Sequence, residues 1–354
     1  MNIRKVQDFI VKGKEIFVGL EDSKKTWKVA VRYEKMVIHQ ASMEAKYPAL
    51  VKYLAHKFPE CTIHLIYEAG FKGFNLFDHL TEDGIDCIVI PPHLVTEPKV
   101  NKVKTDKRDA KRLAHVLESH DFNSSCHVPD KERREDRQIS RTLIGITKDI
   151  IRTRNRIRKF FEFHGIEVPD RWGRREFENL KELSLSEPLK KSLMILLTLL
   201  EQLWDHQKTL REELRTLCKK ERYKKAYEIA KSLPGIGWFT AIRLVLELGE
   251  DLSHFTSGKK IASFLGLVSS EHSTGETERK GHITGMGSGF MRSTLIENSW
   301  IAIRKDPALL SKFMRVWRGS GSKKKAIVAV ARILIVRLRA CIISGTAYAV
   351  GTVR

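Results

Sequence analysis

The N-terminal third of the chain alternates apolar and polar positions in short runs separated by turn-forming residues, a pattern typical of β-strands. It predicts strands at residues 15–22, 26–33, 35–40, 62–67 and 86–90. Apolar residues at helical spacing predict helices at residues 45–58, 74–82 and 106–120. The order βββ-α-β-α-β-α predicts an α/β domain of the ribonuclease-H-like class, with a mixed sheet and helices on its faces.

A different pattern begins near residue 131, where the chain becomes highly charged and strand signals fade. Residues 137–163 and 189–217 each carry apolar residues every three or four positions, which predicts two long amphipathic helices. Helices of this length pack together as an α-helical hairpin or coiled coil, within one chain or between chains. We therefore expect a helical coiled-coil middle region, which also serves dimerisation, at residues 131–222.

The rest of the chain predicts a mainly α C-terminal domain over residues 223–354. The segment 232–241 resembles a helix-hairpin-helix, in which Gly235 and Gly237 would let main-chain N–H groups approach a phosphate. An ordinary turn between two helices explains the same residues. Residues 269–289 are rich in Ser, Thr and Gly and are expected to form a surface loop that presents a hydroxyl nucleophile.

The net charge of the chain indicates what kind of partner it binds. The net charge of the 354 residues is +21, and the excess is spread along the whole chain, as in proteins that neutralise phosphates at many points. A membrane surface is a poor alternative, because the most apolar helix, at 326–343, is interrupted by three arginines. Five scattered cysteines without CxxC spacing indicate reduced thiols in a cytoplasmic protein.

Acidic residues stand at the ends of the predicted elements. Glu21 and Asp22 end the first strand, Glu68 follows the fourth strand, and Asp106 and Asp109 share the first turn of the last helix of the α/β domain. Taken singly, each is explained as a surface carboxylate, a turn residue or a helix-capping acid. Together they predict a site for one or two Mg²⁺ (or Mn²⁺) ions that serve attack on a phosphodiester.

Basic residues near these features are candidates for nucleic-acid contact, although a basic stripe is often only a solvated helix face. They flank the Asp106 turn, follow the second half of the 137–163 helix and lie in the Ser-Gly-rich segment: Lys104, Lys107, Arg108, Arg152, Arg156, Arg279 and Lys280.

Several short motifs, in order, resemble those of insertion sequence 110 family transposases, particularly the 1111-type subgroup. They are VGLEDSKKTW (18–27), IYEAG (66–70), KTDKRDA (104–110), LPGIG (233–237), FLGL (264–267) and HSTGE followed by KGHIT (from 272). The resemblance covers nearly the whole chain. It implies a RuvC-like DEDD metal-binding domain (1–130), a helical middle, and a C-terminal transposase domain with a catalytic serine.

Family roles can be carried over by position. Glu68, Asp106 and Asp109 match the second, third and fourth metal-binding acids. Where the family has Gly-hydrophobic-Asp, this chain reads Gly19-Leu20-Glu21, so Glu21 is favoured by strand register over Asp22 as the first acid. Ser273 is the favoured nucleophile because its hydroxyl is less hindered than that of Thr274, the alternative.

The resemblance implies a DNA transposase or site-specific recombinase that forms a phosphoserine intermediate and rejoins strands. Its partners would be the element ends and the target DNA, a structured guide RNA as in some members, and further copies of the chain in a dimer or tetramer. Two other functions fit the residues alone. One is a junction-resolvase-like nuclease that uses only the carboxylates, and the other is a non-catalytic nucleic-acid-binding scaffold.

Overall fold

A five-stranded mixed sheet organises the N-terminal part of the computed structural model, which describes residues 11–92, 105–122, 125–169, 172, 174–271 and 280–351. The strands are β1 (Glu15–Glu21), β2 (Thr26–Tyr33), β3 (Met36–Glu44), β4 (Thr62–Glu68) and β5 (Asp86–Ile90), in the order β3-β2-β1-β4-β5. β1 to β3 form the predicted antiparallel meander, while β4 runs parallel to β1 and β5 parallel to β4. The α/β character predicted from the sequence is confirmed.

Helices cover both faces of this sheet. Helices α1 (Tyr47–Lys57) and α2 (Asn75–Glu82) contribute Leu50, Leu54, Leu76 and Leu80 to a core that contains Val18 and Leu20 of β1. Helix α3 (Asp106–Ser119) packs through Leu113, Val116 and Leu117 against Ile66 and Ile90. Because side chains alternate along a strand, even-numbered β1 residues face the α1–α2 core and odd-numbered ones face α3.

Two long helices open the second part of the chain. Helix α4 (Lys131–Phe163) and helix α6 (Glu187–Lys219) run antiparallel, with the short helix α5 (Arg174–Lys181) between them in sequence. The Gln207 amide donates to the Thr147 hydroxyl across the pair at 3.2 Å. Helix α4 begins six residues before the predicted start, because the Asp130 carboxylate caps it by accepting from the Arg133 main-chain N–H.

The C-terminal part is mainly helical, as predicted. Its elements are α7 (Glu221–Ser232), α8 (Trp238–Leu248), α9 (Gly258–Phe264), β6 (Ser269–Glu271), β7 (Lys280–Ile283), α10 (Gly289–Lys305), α11 (Pro307–Ser320) and α12 (Lys323–Ser344). The expectation of a plain loop at 269–289 is wrong, since β6 and β7 pair antiparallel. The basic stretch 318–325 is also largely helical, with Gly321 and Ser322 between α11 and α12.

By compactness the chain divides into two units, Met1–Val128 and Pro129–Arg354. Within the second unit, Leu143 and Leu214 from the long helices share a core cluster with Tyr223 and Leu244. A separate boundary near residue 222 therefore stays a prediction. All five cysteines are free thiols. Among the described residues, no helix combines the length and apolarity that crossing a bilayer requires.

Candidate metal centre and serine-bearing hairpin

Gly19 on β1 brings helix α3 directly onto the sheet. A Cβ at this position would lie 2.1 Å from the Ala110 carbonyl oxygen and 2.3 Å from the Ala114 nitrogen, so no side chain fits there. Ala30, Ala110 and Ala114 are all fully buried and form a small-residue cluster. The start of α3 is thus held against the end of β1 by main-chain contact.

Glu21 lies two residues beyond Gly19 and therefore on the same face of β1, towards α3. Burial raises the pKa of its carboxyl group above the ordinary value, and the negative charges of Asp106 and, to a smaller extent, Asp109 raise it further. Hydrogen bonds from Ser23 oppose this increase. The first strand and the first turn of α3 thus bring three of the predicted acids into electrostatic contact.

Glu68 joins them from the neighbouring strand. Gly19 pairs with Ile66 and Leu20 with Tyr67 in the parallel β1–β4 ladder, so the next pair in this register is Glu21 and Glu68. Ile66 packs against α3, and Glu68 two residues later points to the same face. All four acids predicted as metal ligands therefore lie at one edge of the sheet beside the N-terminus of α3.

Asp22 comes directly after the last residue of β1, where continued strand alternation would turn its side chain away from that of Glu21. Burial raises its pKa to about 6, the positive charge of Lys72 opposes that increase, and the charges of Glu21 and Glu68 add to it. Lys72 itself is held by the Ser23 carbonyl at 2.7 Å and stands over the Trp27 ring. Among neighbouring charged side chains, Lys72, Glu21 and Glu68 have the largest effects on the pKa of Asp22.

Arg112, which the sequence pattern does not single out, lies among the four acids. Its Nη2 donates to Glu68 Oε1 at 3.3 Å and stands 3.7 Å from Asp109 Oδ1. It occurs three residues after Asp109, one turn along α3, and this spacing is the only sequence signal that could have indicated it. The guanidinium partly neutralises the cluster of carboxylates.

The side chains of this site are of the type that binds a divalent metal, but their positions do not surround one. Mg²⁺ and Mn²⁺ prefer carboxylate oxygens, and four such groups converge here. Glu21 Oε2 is buried and has no hydrogen-bond partner among the described residues, which leaves one ligand atom available. As the described side chains stand, however, no three acidic, histidine or cysteine groups form a metal-holding cluster. The contact between Arg112 and Glu68 is one physical reason.

The predicted nucleophiles fall between β6 and β7. Ser273, Thr274 and Arg279 lie outside the described residues, as does the side chain of Lys280. Arg292 joins the segment before β6 to the segment after β7, and we call this set of contacts the Arg292 support.

In this support, the Arg292 guanidinium donates to the main-chain oxygens of Leu265, Met286 and Gly285, at 3.1, 3.0 and 3.3 Å. A Cβ on Gly287 would lie 2.0 Å from the Phe264 carbonyl oxygen, so the end of α9 and the loop after β7 are in direct main-chain contact.

The remaining nucleic-acid candidates are dispersed. Lys104 lies outside the described residues, while Lys107 and Arg108 are exposed on the first turn of α3. Arg152 pairs with Asp149 at 2.8 Å, and Arg156 is exposed.

Gly235 and Gly237 lie in the predicted hairpin between α7 and α8 but face different surroundings. A Cβ on Gly235 would lie 2.3 Å from the Asn298 carbonyl oxygen, so this glycine allows packing against α10. Gly237 faces open space.

Comparison with known proteins identifies the family. A model of the DEDD transposases of the IS110 group matches residues 18–165, and a model described as the IS116/IS110/IS902 transposase family matches residues 227–315. The putative transposase y4qE of Sinorhizobium fredii is 27% identical over 301 residues, 81% of this chain and 72% of that protein.

Two further relatives carry insertion-sequence names. The transposase for insertion sequence element IS1533 of Leptospira borgpetersenii is 24% identical over 71% of this chain and 74% of its own length. The transposase for insertion sequence element IS1111A of Coxiella burnetii is 27% identical over 62% of this chain and 60% of its own length. The two family models include both the carboxylate-bearing strands and part of the C-terminal unit, so the chain belongs to the IS110 family of insertion-sequence DNA transposases.

Proposed function

We propose that the N-terminal unit is a ribonuclease-H-like, RuvC-like domain whose Glu21, Glu68, Asp106 and Asp109 hold Mg²⁺ or Mn²⁺ during DNA strand cleavage. The observation that carries this proposal is the convergence of these four acids at one sheet edge, where Gly19 lets α3 meet β1. The strand order β3-β2-β1-β4-β5 and the position of α3 on the sheet support the fold assignment.

Each residue has a defined task in this proposal. The bound ion would neutralise charge on the phosphodiester and favour in-line displacement. Glu21, whose Oε2 has no hydrogen-bond partner within the described part of the chain, and Asp106 would supply ligand oxygens from facing elements. Exposed Lys107 and Arg108, in the same helical turn as Asp106, would hold the DNA backbone close to the acids.

Substitution of single acids tests the metal site. Asp106→Asn and Glu21→Gln should each abolish strand cleavage of DNA that carries the element's ends, and should weaken Mn²⁺ binding measured by calorimetry. Asp22→Asn should leave Mn²⁺ affinity within about twofold, because strand alternation would turn the Asp22 side chain away from that of Glu21. Asp121→Asn, an exposed acid just beyond α3, controls for loss of one negative charge. Full Mn²⁺ affinity in Asp106→Asn would refute the site.

We further propose that Ser273, between β6 and β7, is the nucleophile. Its Oγ would lose a proton and form a bond to phosphorus. The bond from phosphorus to the departing sugar oxygen would break, and that oxygen would take up a proton. The resulting phosphoserine would then be attacked by the hydroxyl of another strand end, which restores the serine and rejoins the DNA. The Arg292 support joins the segments before β6 and after β7, which lie on either side of Ser273 in the sequence.

A covalent adduct distinguishes the nucleophiles. Ser273→Ala should eliminate the DNA–protein band that survives denaturing electrophoresis, whereas Thr274→Ala should retain it. The reverse result would assign the role to Thr274. If both variants keep the adduct, or if Ser273→Ala cleaves normally without one, the serine mechanism is wrong and the carboxylates act alone.

Guidance by RNA and assembly into dimers or tetramers are proposed on the family resemblance. Sequencing of RNA that co-purifies with the chain, expressed together with the non-coding DNA that flanks its reading frame, tests the first. Light scattering with and without DNA tests the second.

A further inference from the structure

Two arginines of helix α6 lie on aromatic rings at the start of helix α8. The Arg211 guanidinium carbon stands 5.0 Å from the centre of the Phe239 ring, and that of Arg215 stands 4.9 Å from the centre of the Trp238 ring. Lys219 follows one turn later. The spacing of four residues puts Arg211, Arg215 and Lys219 on one side of α6, about 6 Å apart along the axis.

In the part of the chain that the structure describes, these three cations have no acidic partner. All three are exposed, and none forms an ion pair among the described residues, although α4 and α7 contain many paired arginines and lysines. Unpaired and fixed cations in a row are unfavourable for the folded chain alone. They are favourable where a row of negative charges lies against them.

A surface groove of about 680 Å³ continues this row. It is lined by Arg215, Lys219 and Trp238 together with Lys224 and Tyr227 of α7. The acid in its lining, Glu228, lies 3.6 Å from Lys231, and Lys224 lies 3.6 Å from Glu221. Helix α8 begins at the edge of this groove without a side-chain cap, so its first N–H groups add partial positive charge.

We propose that the face formed by Arg211, Arg215, Lys219, Lys224 and Trp238, here called the α6–α8 basic face, binds the sugar–phosphate backbone of duplex DNA. The choice of DNA rests on the function proposed above. Each of the two aromatic rings has a guanidinium group over one face. The rings hold the arginines in place and thereby prepare them for phosphate oxygens.

Salt dependence of binding tests the proposal. The probe is a fluorescein-labelled 30-base-pair duplex of arbitrary sequence, titrated with the full chain between about 50 and 200 mM KCl. The double variant Arg211→Gln, Arg215→Gln should weaken binding at every salt concentration. It should also reduce the slope of log affinity against log salt by about 2, one unit for each phosphate that is no longer neutralised.

The matched control is Lys190→Gln, Lys191→Gln, which removes the same charge from exposed positions at the other end of α6. It should leave the slope within experimental error. A second variant, Arg211→Lys, Arg215→Lys, keeps the charge and removes the stacked guanidinium, so the slope should remain while affinity falls. A retained slope in this variant, together with unchanged melting curves, would show that the weaker binding is not caused by misfolding.

Three results would overturn the proposal. These are an unchanged slope in the Arg→Gln variant, an equal change in the Lys190/Lys191 control, and a loss confined to an RNA hairpin of the same length while the DNA duplex binds normally. The titration is run in EDTA and needs no divalent metal. A failure of the metal-site proposal therefore does not affect it, and the two failures can be told apart.

Discussion

At Gly19 the main chain of β1 meets the main chain of α3, and the distance between them sets the distance between the predicted ligands. The strand carries Glu21 two residues further on, and the helix carries Asp106 one turn before Ala110 and Asp109 directly before it. A side chain at position 19 would push α3 away from the sheet, and Asp106 and Asp109 would move away from Glu21 and Glu68 with the helix.

Gly19→Ala should therefore damage both stability and the site. We expect a loss of about 1–3 kcal/mol in the free energy of unfolding, the usual cost of overpacking a core, together with loss of Mn²⁺ binding. Urea denaturation and calorimetry measure the two effects. Gly145→Ala is the control, because nothing lies within 4 Å of a Cβ there and alanine favours a helix. Normal stability and metal binding in Gly19→Ala would mean that α3 is not fixed by this contact.

In the proposed metal site, Arg112 would compete with the bound cation for Oε1 of Glu68. Removal of the guanidinium in Arg112→Met should leave four carboxylates repelling one another, so we expect the metal-free chain to lose about 1–3 kcal/mol of stability. The same change frees Glu68 and removes a repulsive charge. Mn²⁺ affinity should therefore rise by about tenfold, or 1.4 kcal/mol.

The two effects of Arg112→Met have opposite signs, which separates this role from ordinary packing. Thermal denaturation in EDTA and calorimetry with Mn²⁺ provide the two measurements. Arg108→Met, an exposed arginine on the same helix, is the matched control. A fall in Mn²⁺ affinity would contradict competition and would indicate that Arg112 instead organises the acids for the ion.

At the scale of elements, the Arg292 support joins α9, the loop after β7 and helix α10. Arg292→Met removes its three hydrogen bonds to main-chain oxygens. We expect hydrogen exchange of the amides at 280–289 to accelerate by about tenfold or more, since each such bond contributes on the order of 1–2 kcal/mol. The yield of the covalent adduct should fall in parallel.

Arg304→Met controls for this change, because Arg304 lies exposed on the same helix. Exchange that rises equally in both variants, or throughout the C-terminal unit, would mean that Arg292 stabilises the fold in general. Exchange confined to 280–289 would identify the hairpin as the element it supports.

The sequence predicts elements well where the signal is local. The strands β2 and β5 have the predicted limits, and α3 begins at the predicted Asp106. These features are predictable because alternation, short turns and helical spacing depend only on residues that are close in sequence. The three-residue strand β6 is too short to carry such a pattern, and its Ser-rich composition resembles a loop. Apolar spacing predicts a late start for helix α4, because its first turns are polar and only the Asp130 cap marks its true beginning.

The candidate site is predictable only in part, for a related reason. Acids at element ends are visible in the sequence, and the choice of Glu21 over Asp22 follows from strand alternation. The close approach at Gly19 and the contact between Arg112 and Glu68 join residues that are distant in sequence, so no local pattern contains them. The row of cations on α6 has no local signal either, because its aromatic partners belong to another helix.

At the scale of the whole molecule, the N-terminal unit has cores of its own and contains all four acids. We expect a fragment of residues 1–128 to fold, with mixed α/β circular dichroism and cooperative melting, and to bind Mn²⁺ with the affinity of the full chain. It should not form the covalent adduct, since Ser273 is missing. A fragment that is unfolded, or that is folded but does not bind Mn²⁺, would show that the site needs the rest of the chain.

The contact at Gly19 also bears on how this enzyme tolerates sequence drift. Most active sites are positioned through layers of interlocking side chains, so that a substitution in a distant core shifts the reactive groups slightly. Here the backbone of one element rests on the backbone of another. We therefore expect that core residues such as Leu50 or Leu80 can be exchanged for others at a cost in stability alone, while the separation of the acids is preserved. A lineage whose members diverge widely could in this way keep these four acids at one separation.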